Sequence, residues 1–258
     1  MRDATLESDL LRALDRREIE VLFQPQFACA DGSVVGAEAL ARWQHPTLGE
    51  IGARDLFAIA ERAALVAPLS RHIVARALDD AARWPNTLGL SLNITPEELA
   101  DPRFAADFAA LIGESGIAPA RLMLEITEDL LVRHVEQAGA ALASLQRLGF
   151  RVALDDFGAG FCNFNYLRKL PLDAIKLDKT MVDGVPGDVK ALAVLRAIIT
   201  LAKTLELDIY GEGIESDVQR AAITAEGCDY WQGFLRAQPM PSEDMVTLSR
   251  TARGRGHG

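Results

Sequence analysis

The sequence predicts an α/β fold: a (β/α)₈ barrel whose first strand runs antiparallel to the rest. Three observations carry this. The chain has 258 residues, about the size of one such barrel. Eight short apolar, β-branched runs alternate with longer stretches of helical periodicity. The central runs are apolar on both faces, as in a parallel sheet covered by helices.

In chain order the expected strands are EVLFQP (20–25), SVVGAEALARW (33–43), LGLSLNI (88–94), RLMLEIT (121–127), RVALDDF (151–157), AIKLD (174–178), LDIYGEGI (207–214) and YWQGFL (230–235). The link FACADG between the first two is too short for a parallel crossover, so those two should pair antiparallel. Helical spacing of apolar residues marks 53–65, 69–84, 102–115, 128–149, 188–206 and 216–227. An amphipathic helix is expected at 6–17. The barrel should fill 1–242, with a helix end and a disordered tail, RTARGRGHG, in 243–258. No internal repeat, linker or second domain is visible.

Composition narrows the function. The net charge of −10, with no basic stripe, argues against duplex nucleic acid as a partner, because phosphate binding needs clustered Lys and Arg. An acidic protein binds a phosphate substrate if cations sit between the two. No apolar run would span a bilayer, and the N-terminus is not a signal peptide. Cys29, Cys162 and Cys228 lack a C-x-x-C spacing and read as reduced thiols of a cytoplasmic chain. The four histidines do not pair at ligand spacing, so a zinc site is not expected, whereas converging oxygen ligands would suit Mg²⁺ or Mn²⁺.

Polar residues interrupt almost every apolar strand. Glu38 lies in the second, Asn93 in the third and Glu125 in the fourth. Asp155 and Asp156 end the fifth, Lys176 and Asp178 lie in the sixth, Glu212 in the seventh and Gln232 in the eighth. The parallel strands of such barrels end at the active-site face, so these side chains should converge there. Clustered carboxylates repel one another unless a divalent cation coordinates them. A carboxylate shared by two metals gives the clamp used in phosphodiester hydrolysis. Asp155 is the natural bridge, since Asp156 can reach a second ion, and Lys176 is a cation within reach. Each residue also has a plainer reading. Glu38 or Glu125 alone could be a helix cap or half a salt bridge, and Asn93 could introduce the turn into a Pro-started helix at ITPEE. Asp155 could cap a turn, and Lys176 with Asp178 could be a simple ion pair. Asp156-Phe157-Gly158 copies a kinase triplet, but the rest of the kinase signature is missing. Nor is there a nucleophile elbow, and Cys162 has no evident base partner.

The residues resemble the EAL domain, the cyclic-di-GMP phosphodiesterase family. The resemblance spans about 6–241. It includes Glu38-Ala39-Leu40 with Arg42, Trp43 and His45-Pro46, then FQP (23–25), SLNITP (91–96), LEITE (124–128), ALDDFGAG (153–160), YLRKLPLDAIKLDK (166–179), GEGIE (211–215) and GCDYWQGF (227–234). It implies a (β/α)₈ barrel with an antiparallel first strand. It also implies hydrolysis of cyclic-di-GMP to linear pGpG by in-line attack of an activated water, with two Mg²⁺ or Mn²⁺ ions per site. The implied metal ligands are Glu38, Asn93, Glu125, Asp155 and Asp156. Lys176 would orient the water, and Glu212 would serve the second metal's shell or act as general base. Glu215 and Gln232 would support metal-bound water and Lys176. Gln24, Leu40, Arg42 and Asp178 would contact substrate, and Glu128 would pin the loop after the fifth strand. A homodimer and an upstream sensory or GGDEF domain in a longer protein are implied as well. The chain departs from the family loop at Ala159-Gly160-Phe161-Cys162-Asn163, and has Gly211 and Ile214 where alanine and valine are usual. A receptor that binds cyclic-di-GMP with little turnover is the alternative from another class. A two-metal hydrolase for a different phosphodiester is a third.

Overall fold

A tight hairpin sets the architecture. The computed structural model describes residues 2–16, 18–160, 164–185 and 187–253, with side chains at 6–16, 18–127, 138–160, 164, 166–185 and 187–251. After α1 (Arg2–Arg16), β1 (Ile19–Ala28) and β2 (Val34–His45) pair antiparallel, from Ile19 opposite Trp43 to Phe27 opposite Val34. The Ala28 N–H donates to Ser33 O and the Gly32 N–H to Ala28 O, both at 2.9 Å, which closes the turn. So short a link leaves no other pairing. A further strand, β3 (Gly49–Gly52), returns along β2 with Gly52 opposite Arg42 and lies outside the barrel. No strand was expected there from the sequence pattern.

The remaining elements alternate as the periodicity predicts. α2 (Ala53–Arg62) and α3 (Val66–Ala81) lead to β4 (Gly89–Asn93), and α4 (Pro96–Ala100) and α5 (Phe104–Ser115) to β5 (Leu122–Thr127). Then come α6 (Glu128–Arg147), β6 (Arg151–Phe157), α7 (Asn165–Lys169), β7 (Ala174–Leu177), α8 (Lys179–Asp183), α9 (Val189–Thr204), β8 (Asp208–Gly211), α10 (Asp217–Glu226), β9 (Tyr230–Trp231) and α11 (Ser242–Arg253). β2 pairs parallel with β4, and each later strand pairs parallel with the next as far as β9. β9 meets β1 antiparallel, Trp231 opposite Phe27, and an eight-strand barrel closes with only β1 reversed.

Local chemistry explains several boundaries. Thr95 and Glu98 form a capping box with Pro96 at the start of α4, and Ser216 and Gln219 do the same for α10. Gly227, at φ 103°, ends α10 in the left-handed conformation. The five-residue helices α4, α7 and α8 are too short to show a helical period; of these, only α4 was suggested in sequence, by its proline. The expected disordered tail is partly helical. Arg250 to Arg253 belong to α11, which seats the fully buried Met245 on the core; 254–258 lie outside the described residues.

Apolar side chains divide between two places. Most, including Leu124, Ile126, Val152, Leu154, Ile175 and Ile209, face outward and join the helices in the main core. Met123, Ala153, Ala174 and Tyr210 form a small separate cluster, with Tyr230 against it. Along β5 and β6, Met123 and Ala153 alternate two residues apart with Glu125 and Asp155, so this cluster floors the acidic layer inside the barrel. No helix among the described residues is long and apolar enough to cross a membrane. Cys29 and Cys228 are free thiols, and Cys162 lies outside the described residues.

Candidate metal centre

Strand register brings the polar interruptions together. Asn93 sits beside Glu125, and Thr127 beside Asp155. Gln24 on β1 stands opposite Glu38 on β2, so Gln24, Glu38, Leu40 and Arg42 share one face of the hairpin. Among the described residues, two trios of carboxylates each bring one oxygen per residue within 4.8 Å of the others: Glu38–Glu125–Asp155 and Asp155–Asp156–Glu212. Asp155 belongs to both.

Lys176 is the hub. Its side chain is 1 % exposed. Its Nζ lies 2.7 Å from Glu125 Oε2, 2.8 Å from Glu212 Oε1, 3.1 Å from Glu38 Oε2 and 3.2 Å from Asp155 Oδ1. Asn93 donates from Nδ2 to Glu38 Oε1 at 2.9 Å. Gln232 donates from Nε2 to Glu38 Oε2 at 2.8 Å and to Glu212 Oε1 at 2.9 Å. Gln232 is held where Gly233 crosses the end of β8. A Cβ at Gly233 would fall 2.2 Å from Ile214 N, and the Ile214 N–H donates to Gln232 O. Only glycine allows so close an approach.

Two adjacent aspartates reach one site because β6 is interrupted there. Leu154 pairs with Ile175, but the next pair is Phe157 with Leu177, so β6 carries one residue more than β7 across Asp155–Asp156. This is a bulge, which re-aims side chains that would otherwise alternate between faces. Asp156 takes φ 54°, a left-handed conformation that aspartate tolerates better than most residues, and its N–H donates to Asp155 Oδ1 at 2.9 Å. Gly158 follows at φ 100°, where a Cβ would strike Met181 Cγ at 2.4 Å. Gly160 has no such constraint; an added Cβ there meets nothing.

Burial sets the protonation of the cluster. Desolvation raises Asp155 to about 6 and Glu212 to about 8 despite the Lys176 charge, with the neighbouring acids adding to the rise. Glu125 is raised well above the usual carboxylate range by burial and by Glu38, and Asp156 is raised by burial. Burial pushes Glu38 up too, but Lys176, Gln232 and Asn93 outweigh it and hold this carboxyl low. Lys176 is raised well above its normal value: burial opposes its charge, and the four carboxylates overcome that.

These residues fit divalent cations. The donors are hard oxygens, the choice of Mg²⁺ and Mn²⁺. Glu125 Oε1 and Gln232 Oε1 are buried without a hydrogen-bond partner among the described residues, as acceptors awaiting a ligand would be. A pH effect follows. The folded, metal-free protein holds protons at Asp155 and Glu212 that the unfolded chain releases near pH 4, so its stability falls as pH rises through about 6 and about 8. Metal replaces those protons. The rise in melting temperature on adding Mn²⁺ or Mg²⁺ is therefore expected to be larger at pH 8.5 than at pH 6. Equal rises at both pH values would place metal binding elsewhere.

The other residues named from sequence are placed as follows. Gln24 is buried and donates to Ala237 O at 2.7 Å. Leu40 is half-buried. Arg42 donates to Ala41 O at 2.8 Å and lies 3.5 Å from Glu50. Asp178 caps α8 by accepting from the Thr180 N–H, and it adds negative charge near Asp156. Glu215 stands apart from the cluster on the exposed rim, paired with Lys179 at 2.5 Å. The Glu128 side chain and Phe161, Cys162 and Asn163 lie outside the described residues. Space vacated at Gly211 is taken by Ile223, whose Cδ1 would meet an added Cβ at 2.6 Å. Arg54, at the start of α2, was not singled out, because a lone exposed arginine carries no pattern.

Comparison with known proteins agrees with this architecture. The family described as EAL domain matches residues 7–239. An uncharacterized signaling protein of Caulobacter vibrioides is 36% identical over 247 residues, covering 96% of this chain but 30% of its own length. The cyclic di-GMP phosphodiesterase RocR of Pseudomonas aeruginosa is 34% identical over 242 residues, covering 93% of this chain and 62% of its own length. Thus the chain spans about a third of the first of these relatives and under two thirds of the second. The solved structure of the PaMucR phosphodiesterase in complex with c-di-GMP superposes with a TM-score of 0.88 at 29% identity, over 94% of this chain and all of that one.

Proposed function

This chain belongs to the EAL domain family, and from that premise we propose that it hydrolyses cyclic-di-GMP to linear pGpG. One observation carries the reading: two carboxylate trios share Asp155 around a buried lysine at the mouth of the barrel. Glu38, Asn93, Glu125, Asp155 and Asp156 would hold two Mg²⁺ or Mn²⁺ ions. When bound, such ions supply Lewis acidity and lower the pKa of water.

The chain's own residues do the rest. Lys176, fixed by four carboxylates, would orient the attacking water and offset charge developing on phosphate. Glu212 holds a proton in the metal-free protein; once metal displaces it, the freed carboxylate would accept the water's proton. The water oxygen would bond to phosphorus as its proton passes to Glu212, the P–O3′ bond would break, and the leaving 3′ oxygen would take a proton from solvent. Gln232 braces Glu38 against Glu212. Arg42 would contact a phosphate, with Gln24, Leu40 and Asp178 as further substrate contacts and Glu215 on the rim. Homodimerisation and an upstream sensory or GGDEF domain in a longer protein belong to the same reading. Sedimentation of the pure protein tests the first, and the surrounding open reading frame tests the second.

The decisive assay incubates pure protein with cyclic-di-GMP and Mg²⁺ or Mn²⁺ and separates products by chromatography. pGpG should appear, and EDTA should abolish it. Tight binding without product would make the chain a receptor. Neither binding nor product would overturn both readings and leave a different phosphodiester as the substrate to seek.

A further inference from the structure

The charge balance of the mouth draws attention to a residue outside the acidic cluster. Lys176 is buried inside the cage among four carboxylates, away from the rim. Arg42 is shared with Glu50, 3.5 Å away. Arg54 is placed differently. It is the second residue of α2, two positions after Gly52, which pairs with Arg42. Arg42 lies on the same face of β2 as Glu38, four residues nearer the rim. That register sets the start of α2 on the rim beside Arg42.

The Arg54 side chain is exposed and forms no hydrogen bond or ion pair with any described residue. It nonetheless lies near enough to Asp156 for its charge to be felt there. Nothing in α2 accounts for a cation here. The first turn of a helix repels positive charge, and Gly52 supplies no capping side chain.

We propose that Arg54 binds a phosphate of the dinucleotide substrate, as a second guanidinium on the rim alongside Arg42. This rests on the phosphodiesterase reading above. A cyclic dinucleotide carries two phosphodiesters on opposite sides of its ring. With one phosphodiester held at the acidic cage for cleavage, the other would lie toward the rim, where a cation would complement it. A guanidinium suits it because its planar fork engages two phosphate oxygens at once.

The test compares wild type with Arg54→Ala and Arg54→Lys in the pGpG assay. For the alanine variant KM should rise about tenfold, the worth of a charge-assisted hydrogen bond, with a smaller change in kcat. Lysine should restore part of that loss, since it keeps the charge without the fork. The salt dependence of KM should become shallower in Arg54→Ala. Because the side chain is exposed, the melting temperature reports whether either variant is misfolded. A KM within about twofold of wild type, below the worth of any charged contact, overturns the proposal while leaving the phosphodiesterase reading intact. A fall in kcat at constant KM overturns it too, because Arg54 would then act only through Asp156. A wild type that neither binds nor cleaves cyclic-di-GMP overturns the parent reading and this role with it.

Discussion

Asp155→Asn is expected to lower turnover of cyclic-di-GMP by about a thousandfold, since it removes the one carboxylate common to both trios. Asparagine keeps an oxygen to accept from the Asp156 N–H, so the bulge in β6 should survive. Stability should move the other way. Asp155 is raised to about 6 in the folded, metal-free protein, so at pH 8 its ionised form is less welcome in the fold than in the unfolded chain. The metal-free variant should therefore melt no lower than metal-free wild type at pH 8. Activity assays and thermal melts read the two effects separately. An active variant would remove Asp155 from the reaction, and an inactive but badly destabilised one would make its role structural.

Lys176→Met is expected to cost the metal-free fold about 3–5 kcal/mol, the usual consequence of removing one partner from a buried ionic cluster. Four carboxylates would then face one another with no cation among them. The loss should be greater at pH 8 than at pH 6, where protons partly replace the ammonium, and saturating Mg²⁺ should recover part of it. Urea melts under these conditions give the comparison. Turnover should be lost whatever the metal concentration. Equal stability of variant and wild type at pH 8 without metal would show that Lys176 does not hold the cluster together.

The parts of this molecule that were legible in sequence are those written in periodicity. Glu125 and Asp155 stand out because each ends an otherwise apolar strand, and barrel topology sends such ends to one face. The reversed β1 could be read from a short link. What was not legible depends on register and on contacts far apart in the chain. Nothing local announces that Lys176 would gather four acids, because its partners come from residues 38, 125, 155 and 212. Asp155 and Asp156 were expected at one site, but the bulge that brings both there, where strand neighbours should diverge, is visible only against β7. Glu215 lies three residues from Glu212, but its strand has already ended at Gly211, so it turns to Lys179 on the rim. The eighth strand was expected over six residues and pairs as a strand over two, although Gln232 and Leu235 still hydrogen-bond to Gly211 and Ile214 beyond it.

The closure of β9 onto β1 has a consequence for how the protein comes into being. Gln232 and Glu38 are joined by a 2.8 Å hydrogen bond across 194 positions of sequence. As the chain leaves the ribosome, the β1–β2 hairpin can form early, but its other edge waits until β9 has been made. Until then the nascent protein carries an open sheet edge and a set of acids without their final neighbours, the kind of species that invites mispairing. Folding dominated by such distant contacts is slow. The Gln232 side of the centre therefore joins last, after Glu38, Glu125, Asp155 and Lys176 have been made.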